Sequence, residues 1–395
     1  MKHLLLSFAF ALTLAASALL SGCDRISSEV EKQQNGVISH LPFVIAPEAQ
    51  HLHDRLIIGD WHADTTLWER DISQRGETGH GDLVRYLEGN VALQMFTTVT
   101  KSPSGQNYQS NSNDSFDNIT ALAIAQGWPV NSWQNLTERA LYQASKLHQL
   151  AEQQPEQFML VRNQQELQRL LDKREQGQKI LGGLIGTEGS HALEGDLANI
   201  ERLYQAGFRM MSLHHFFDNR LGGSLHGTSN TGLTEFGAQA IREMERLGIM
   251  IDVSHSSPQV VEDVLALTQT PLIVSHTGLY GHCSTHRNIS DELMHRIAEG
   301  GGIIGIGFWD AAVCDASPKG IVKAISYGID LLGVEHIALG SDFDGAVVTP
   351  FDASELAVLT HEMLKAGFSS DDIRAVMGGN MVRFLQQHLP KVAQN

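Results

Sequence analysis

Short apolar segments alternate with longer amphipathic stretches along most of this chain. The short segments are rich in Val, Ile, Leu and Met and carry few polar residues, which is typical of strands buried on both faces of a parallel sheet. We predict eight such strands, at Leu56–Gly59, Val91–Thr98, Ile180–Thr187, Arg209–Leu213, Met250–Ser254, Leu272–Ser275, Ile303–Gly307 and Ile337–Ser341.

Helical patterns lie between these strands, several of them opened by Ser, Thr or Asp and closed by Gly. Examples are Thr234–Leu247, Pro258–Leu267, Asp291–Glu299 and Gly320–Leu332. This alternation predicts βα units, and eight such units close a (β/α)8 barrel, the TIM barrel of the α/β class. The polar segment Asn107–Asn135 interrupts the pattern, and we expect it to be a loop insertion at the rim.

The start of the chain has the pattern of a secretory signal over residues 1–22, with an apolar run after a basic residue. Its last residues, Leu20-Ser21-Gly22-Cys23, resemble the bacterial lipobox, so Cys23 is predicted to carry lipid. An ordinary signal with an unrelated cysteine is the alternative. Asp24 resembles the signal that retains lipoproteins at the inner membrane. We therefore expect an extracytoplasmic protein that is lipid-anchored on the periplasmic side of that membrane.

Residues 23–50 are polar and interrupted by glycine and proline, so we expect an irregular tether there and a single folded domain over residues 51–395. The formal net charge of −17 disfavours nucleic acid or an anionic bilayer surface as the main partner. The chain has three cysteines, and besides Cys23 these are Cys283 and Cys314. The two form an even pair in an oxidising compartment. Both lie in neighbouring βα loops, so we predict a disulfide; two free buried thiols are the alternative.

Metal-binding residue types occur where the apolar runs stop, which in such barrels is the end that carries the chemistry. A single His-x-Asp at a strand end is weak evidence, because a turn with an Asp cap has the same pattern. The combination is stronger, since imidazole and carboxylate groups are typical zinc ligands and five of them fall at predicted strand ends. These candidate ligands are His62, Asp64, Glu188, His255 and His276.

The chain resembles the membrane dipeptidase family from about residue 55 to 385. The resemblance is carried by motifs that occur in the family's order, namely Asp60-Trp61-His62-Ala63-Asp64, Thr187-Glu188-Gly189, Met211-Ser212-Leu213-His214-His215, Gly232-Leu233-Thr234-Glu235-Phe236-Gly237, Ile251-Asp252-Val253-Ser254-His255, Ser275-His276, Arg287-Asn288 and Gly340-Ser341-Asp342-Phe343-Asp344-Gly345. It implies a zinc-dependent dipeptidase that acts on L,L and also L,D dipeptides.

The resemblance also implies a role for each residue of the site. Two Zn²⁺ ions would be bound, one by His62 and Asp64, the other by His255 and His276, with Glu188 bridging both. Substrate would be contacted by His215, Arg287 and Asp342, and Asp342 would transfer the proton. A small dipeptide is the expected partner, and a homodimer is left open.

Four positions depart from the family pattern, and one of them, Ser341 in place of the commoner Gly before Asp342, is a small change. Trp61 and Ala63 replace the usual neighbours of the first histidine and are expected to reshape the pocket floor. His214 replaces the usual threonine, so either His214 or His215 faces the substrate; register favours His215.

Two alternatives to a dipeptidase stay open. One is another amidohydrolase reaction, on N-acyl amino acids or cyclic amides, and the other is a binding lipoprotein without turnover.

Overall fold

The computed structural model describes residues 27–391, and within that range nine strands form one parallel sheet. The strands are β1 Ile58–Ala63, β2 Val91–Val99, β3 Phe158–Leu160, β4 Leu181–Glu188, β5 Phe208–Ser212, β6 Met250–Asp252, β7 Ile273–Thr277, β8 Ile303–Ile306 and β9 Ile337–Leu339. Eight of them follow one another in the order β2-β1-β9-β8-β7-β6-β5-β4, and β2 also pairs with β4, which closes the ring. The predicted (β/α)8 barrel is confirmed.

Helices connect the strands on the outside of the ring. They are α1 27–34, α2 Pro47–His53, α3 Leu83–Glu88, α4 Asn118–Ala125, α5 Leu136–Gln153, α6 Gln164–Glu175, α7 Ala198–Gln205, α8 Glu235–Leu247, α9 Pro258–Leu267, α10 Asp291–Glu299, α11 Asp310–Val313, α12 Pro318–Leu332, α13 Ala357–Lys365, α14 Ser370–Arg374 and α15 Asn380–His388. The side chains of Thr234, Ser257, Ser290 and Ser317 accept backbone hydrogen bonds and begin four of them. No helix in the described part of the chain is long and apolar enough to cross a membrane.

Strand β3 was not predicted from the sequence. It has three residues and pairs with Leu181–Gly183, the first half of β4, while β5 pairs with the second half, from Ile185. Because β2 occupies the whole other edge of β4, β3 lies outside the closed ring. A segment this short carries too few positions to show a strand period.

Strand β1 lies further along the chain than predicted, at Ile58–Ala63 instead of Leu56–Gly59. The polar residues Asp60 and His62 interrupt the apolar run in the sequence, yet all six positions of the strand are buried. Asp60 is tolerated there because its carboxylate accepts hydrogen bonds from Ser341 N at 2.8 Å and Ser341 Oγ at 2.6 Å. His62 therefore belongs to the strand itself and lies within the sheet.

Two parts of the segment expected to be an irregular tether are helical. Residues 27–34 form α1 and Pro47–His53 form α2. The chain between them is paired to the loop after β9, where Ile38 N donates to Thr349 O at 2.9 Å and Thr349 N donates to Gly36 O at 3.0 Å. The polar composition of α1 does not indicate a packed helix, because its contacts come from a narrow face that contains Val30 and Glu31.

Cys283 and Cys314 are joined in a disulfide with a Cα–Cα separation of 5.5 Å. The bond links the loop after β7 to the end of α11, which follows β8. These are the neighbouring loops from which the pairing was predicted. Cys23 and the signal segment lie outside the described residues.

Candidate functional site

Seven side chains of the predicted site converge at the carboxyl end of the barrel. His62 and His276 lie within β1 and β7, Glu188 is the last residue of β4, and Asp64 directly follows β1. The other three each lie three residues beyond a strand: His215 after β5, His255 after β6 and Asp342 after β9. All seven are at most 6% exposed, so bulk water does not screen the charges among them.

Glu188 lies at the centre of this cluster. Four imidazole Nε2 atoms surround its Oε1 atom at nearly equal distances: His215 and His255 at 3.4 Å, and His62 and His276 at 3.5 Å. A carboxylate in this position lies within reach of all four rings.

Hydrogen bonds determine which nitrogen carries the proton on two of these rings. Ser275 Oγ donates to Asp252 Oδ2 at 2.6 Å, so its lone pairs are left to accept. They face His276 Nδ1 at 3.0 Å and His62 Nδ1 at 3.1 Å. Both rings therefore carry hydrogen on Nδ1, and the Nε2 atom of each faces Glu188.

His215 has the same arrangement with a backbone partner. Its Nδ1 atom faces the carbonyl oxygen of Lys101 at 3.2 Å, and a carbonyl only accepts, so the hydrogen is on Nδ1. The Nε2 atoms of three rings held through Nδ1 thus face a buried carboxylate. Rings held in this way can bind a divalent cation through Nε2, and nitrogen and carboxylate oxygen are the donors that zinc prefers. The residues present fit a metal centre.

The contact with Lys101 limits what His215 can do. A neutral ring with hydrogen on Nδ1 can only accept at Nε2. Burial lowers the pKa of His215, which opposes a second proton. His215 is therefore suited to accept a hydrogen bond from a substrate.

Asp64 and Asp342 complete the cluster. Thr97 Oγ1 donates to Asp64 Oδ1 at 2.6 Å and fixes the orientation of that carboxylate. Asp342 Oδ1 lies 3.9 Å from His62 Nε2. Burial, with the nearby charges of Glu188 and Asp64, raises the pKa of Asp342 well above its usual range against the opposing effect of His62. Asp342 is thus a carboxyl group that can hold a proton.

Three overlapping groups of ligand atoms, each within 4.8 Å, are present among the described residues. They are His62, Asp64 and Glu188; His62, His276 and Asp342; and Glu188, His215 and His255. The distances alone do not divide the cluster into ligands and substrate contacts, because His215 and Asp342 lie as close to it as the proposed ligands do.

Arg287 is fully buried beside the cluster. Its Nη2 atom donates to His276 O at 2.7 Å and contacts His255 Nε2 at 3.3 Å, and Nη1 reaches Thr277 Oγ1 at 3.4 Å. Within residues 27–391 none of these partners is a carboxylate, and burial lowers the pKa of Arg287. A buried guanidinium without an anionic partner is costly, so the site favours an anion.

The two neighbouring histidines lie in different surroundings. His215 joins the cluster, whereas His214 Nδ1 contacts Ser256 Oγ at 3.1 Å away from Glu188. The expected effect of Trp61 on the pocket floor is not seen, because its ring packs edge-on against Phe384 of α15 at 5.6 Å.

Residues 46–394 match the sequence profile of the membrane dipeptidases, peptidase family M19. The chain belongs to the membrane dipeptidase family. The resemblance inferred from the motifs is confirmed, and with it a hydrolase fold that brings metal-binding residues together at the barrel mouth.

Relatives with assigned names are found in fungi. The dipeptidase verJ of Clonostachys rogersoniana is 31% identical over 212 residues, which cover 52% of this chain and 55% of that protein. The dipeptidase aclJ of Aspergillus oryzae is 33% identical over 219 residues, covering 52% of this chain and 51% of that protein. The chain thus spans about half the length of the curated relatives it matches.

Solved structures extend the likeness to the whole barrel. A metallopeptidase from Rhodobacter sphaeroides, solved with a phosphinate mimic of the dipeptide L-Ala-D-Ala, is 25% identical with a TM-score of 0.69, covering 84% of this chain and 99% of that one. The probable dipeptidase PvdM from Pseudomonas aeruginosa is 19% identical with a TM-score of 0.71, covering 87% and 98%. The second likeness concerns the fold alone.

Proposed function

We propose that this membrane dipeptidase family member is a metal-dependent dipeptidase that hydrolyses the peptide bond of L,L and L,D dipeptides. One observation carries the proposal: a buried guanidinium without a carboxylate partner, that of Arg287, lies beside a cluster of metal-type ligands centred on Glu188. A free carboxylate one residue beyond the scissile bond would pair with Arg287. This restricts the enzyme to short substrates, since a longer peptide has no carboxylate there.

The chain's residues have distinct parts in this reaction. When bound, the metal ions would activate a water molecule and polarise the scissile carbonyl. Asp342 accepts the proton of the attacking water on its carboxylate and passes it to the leaving amine nitrogen. Arg287 fixes the substrate carboxylate, and His215 accepts a hydrogen bond at Nε2 from the substrate's amino group.

We propose two Zn²⁺ ions, with His62 and Asp64 on one, His255 and His276 on the other, and Glu188 shared. Metal analysis of the purified protein after zinc reconstitution tests the number. His255→Ala and His276→Ala should each weaken one site, whereas His215→Ala should keep both ions and lose activity. Loss of zinc in His215→Ala would make His215 a ligand, and one ion per wild-type chain would contradict the binuclear arrangement.

The substrate class is tested by a panel of compounds on purified enzyme. L,L and L,D dipeptides should be hydrolysed, and amidation of their carboxyl terminus should abolish turnover because Arg287 then lacks its partner. Tripeptides provide the control for length. Preference for N-acyl amino acids or for a cyclic amide such as a β-lactam would favour the other amidohydrolase reactions. Binding without turnover of any compound would favour a binding lipoprotein.

We also propose that Cys23 is lipidated and anchors the enzyme on the periplasmic side of the inner membrane. The support is the sequence Leu20-Ser21-Gly22-Cys23 followed by Asp24. Cys23→Ala should release the protein into the periplasm or block its processing. A mutant that is processed and stays membrane-bound would contradict the anchor.

A further inference from the structure

A cavity of about 600 Å³ opens above the metal-type cluster, large enough for a small ligand. Its floor consists of Asp64, Glu188 and His215. Its outer wall is formed by α1, through Ser27, Val30 and Gln34, and α4 lines one side. The first of these helices lies outside the family match, which begins at residue 46.

Contacts on two sides hold α1 against the cavity. The side chain of Val30 packs against the cluster that contains Leu67 and Trp68. Glu31 forms a buried ion pair with Arg70, with Oε1 3.3 Å from Nε. Just beyond the helix, Asn35 Oδ1 accepts from Ala346 N at 2.9 Å in the loop after β9. The helix is therefore tied to loops at the same end of the barrel as the site.

The position of Arg287 in the barrel orients a substrate in this cavity. Arg287 lies in the loop after β7, and in the ring order β7 is diametrically opposite β2. The cavity lies on the β2 side, since it is lined by Val99 and Ser102, and Arg287 is not part of its lining. A dipeptide whose carboxylate pairs with Arg287 thus extends its amino-terminal residue across the cluster towards α1.

We infer that α1 forms the specificity pocket for the side chain of the substrate's first residue, and that this pocket prefers a large apolar side chain. The inference rests on the proposed dipeptidase function. The preference follows from the lining, in which apolar groups predominate near the helix, among them Val30, Leu67, Trp68, Val99, Ile119 and Leu122. The side chain of the second residue has no contact with α1.

A matched pair of substitutions on α1 tests this. Val30→Trp adds bulk on the cavity side, whereas Lys32→Trp adds the same bulk at an exposed position of the same helix. We expect Val30→Trp to lower kcat/KM for Leu-Ala by about tenfold or more relative to Ala-Ala, because a pocket that loses space discriminates by roughly this factor per small group. Hydrolysis of Ala-Leu should not change, and Lys32→Trp should match the wild type on all three substrates.

The possible results separate a wrong pocket assignment from a wrong proposed function. An equal loss on Leu-Ala and Ala-Leu, no loss on either, or the same loss in Lys32→Trp would overturn the pocket assignment while leaving the dipeptidase intact. A wild type that hydrolyses none of the three dipeptides would overturn the proposed function, and the assignment with it. If Val30→Trp does not fold, Val30→Ala decides: it should raise the Phe-Ala to Ala-Ala ratio of kcat/KM, and an unchanged ratio contradicts the assignment.

Discussion

The floor of the cavity lies on strand ends, whereas its outer wall is a single surface helix. On the floor, Glu188 ends an eight-residue strand that pairs with β2 along seven positions, and its neighbours are bonded to backbone or to buried hydroxyls. The wall depends on the ion pair of Glu31 with Arg70, the packing of Val30 and the hydrogen bond from Ala346 N to Asn35 Oδ1. The two parts of one cavity are therefore held with very different rigidity.

This difference corresponds to different tasks. Metal ligands and a proton carrier must keep their geometry within fractions of an ångström, which strands in a closed barrel provide. A pocket for a variable side chain tolerates small movements and can be exchanged without changing the chemistry. We expect substitutions on the floor to abolish the reaction and substitutions on the wall to change its selectivity or its dependence on pH.

The largest effect should come from Glu188→Gln. The amide keeps the volume but removes the charge that four imidazoles face, so both metal positions should weaken together and hydrolysis should fall to background. Metal analysis and activity are measured on the same sample. Glu201→Gln, an exposed carboxylate, is the control. Retention of one tightly bound ion in Glu188→Gln would show that the carboxylate serves one position only.

Arg287→Lys should be the next largest. Lysine keeps the charge but loses the planar pair of donors that binds a carboxylate. A charge-assisted hydrogen bond contributes about 1.5–3 kcal/mol, so kcat/KM for dipeptides should fall by roughly 10- to 100-fold. Zinc content should not change. A variant with wild-type kcat/KM would mean that the substrate carboxylate binds elsewhere.

Thr97→Val should have a smaller effect, through Asp64. The substitution preserves shape and removes the hydroxyl that donates to Asp64 Oδ1 at 2.6 Å. Loss of such an orienting bond typically weakens metal affinity about 10- to 100-fold, which a chelator competition measures. Thr98→Val, whose hydroxyl bonds only to Gly186 O, is the matched control. Equal affinities in the two variants would exclude an orienting role for Thr97.

The smallest effect is expected for α1, the wall of the cavity, whose contribution to stability depends on pH. Burial raises the pKa of Glu31 from its usual 4.5 to about 7, with Arg70 opposing and Asp344 adding to the shift. Because the folded pKa is the higher one, the stability linked to this group is fully present below pH 4.5 and is lost as the pH rises to 7, by at most about 3 kcal/mol.

Glu31→Gln removes this titration. The Tm of the variant minus that of the wild type should therefore increase between pH 4.5 and 7 and stay constant above pH 7. Thermal unfolding followed by circular dichroism at several pH values measures the difference. A difference between the two proteins that does not vary with pH would show that Glu31 ionises normally when α1 is packed.

Much of the floor could be predicted from the sequence because barrel chemistry collects at strand ends and the strands are strongly apolar. His62 and Glu188 were identified on that basis, although β1 was placed too early since a buried Asp60 resembles the end of a strand. Asp252 carried a weak signal, a carboxylate inside an apolar run. Thr97 carried none, because threonine is common in strands whether or not it bonds to a metal ligand.

The wall could not be predicted. Its helix has a polar composition, and the contacts that hold it come from Val30 and Glu31 in the helix and from Asn35 just beyond it. Those contacts join residues far apart in sequence, such as Asn35 and Ala346, and no local pattern indicates them. Long-range packing of a polar segment becomes visible only when the barrel that it packs on is known.

The central claim is that the cluster performs hydrolysis with Asp342 as its proton carrier. Asp342→Asn preserves size and hydrogen bonding but cannot take up a proton, and proton transfer of this kind is worth about 10²–10⁴ in rate. The most direct test measures kcat for a dipeptide and zinc content on one preparation, with the exposed Asp310→Asn as control. We predict that Asp342→Asn retains both zinc ions while kcat falls within that range. An unchanged kcat would contradict the proton-carrier role, and loss of zinc would make Asp342 a ligand.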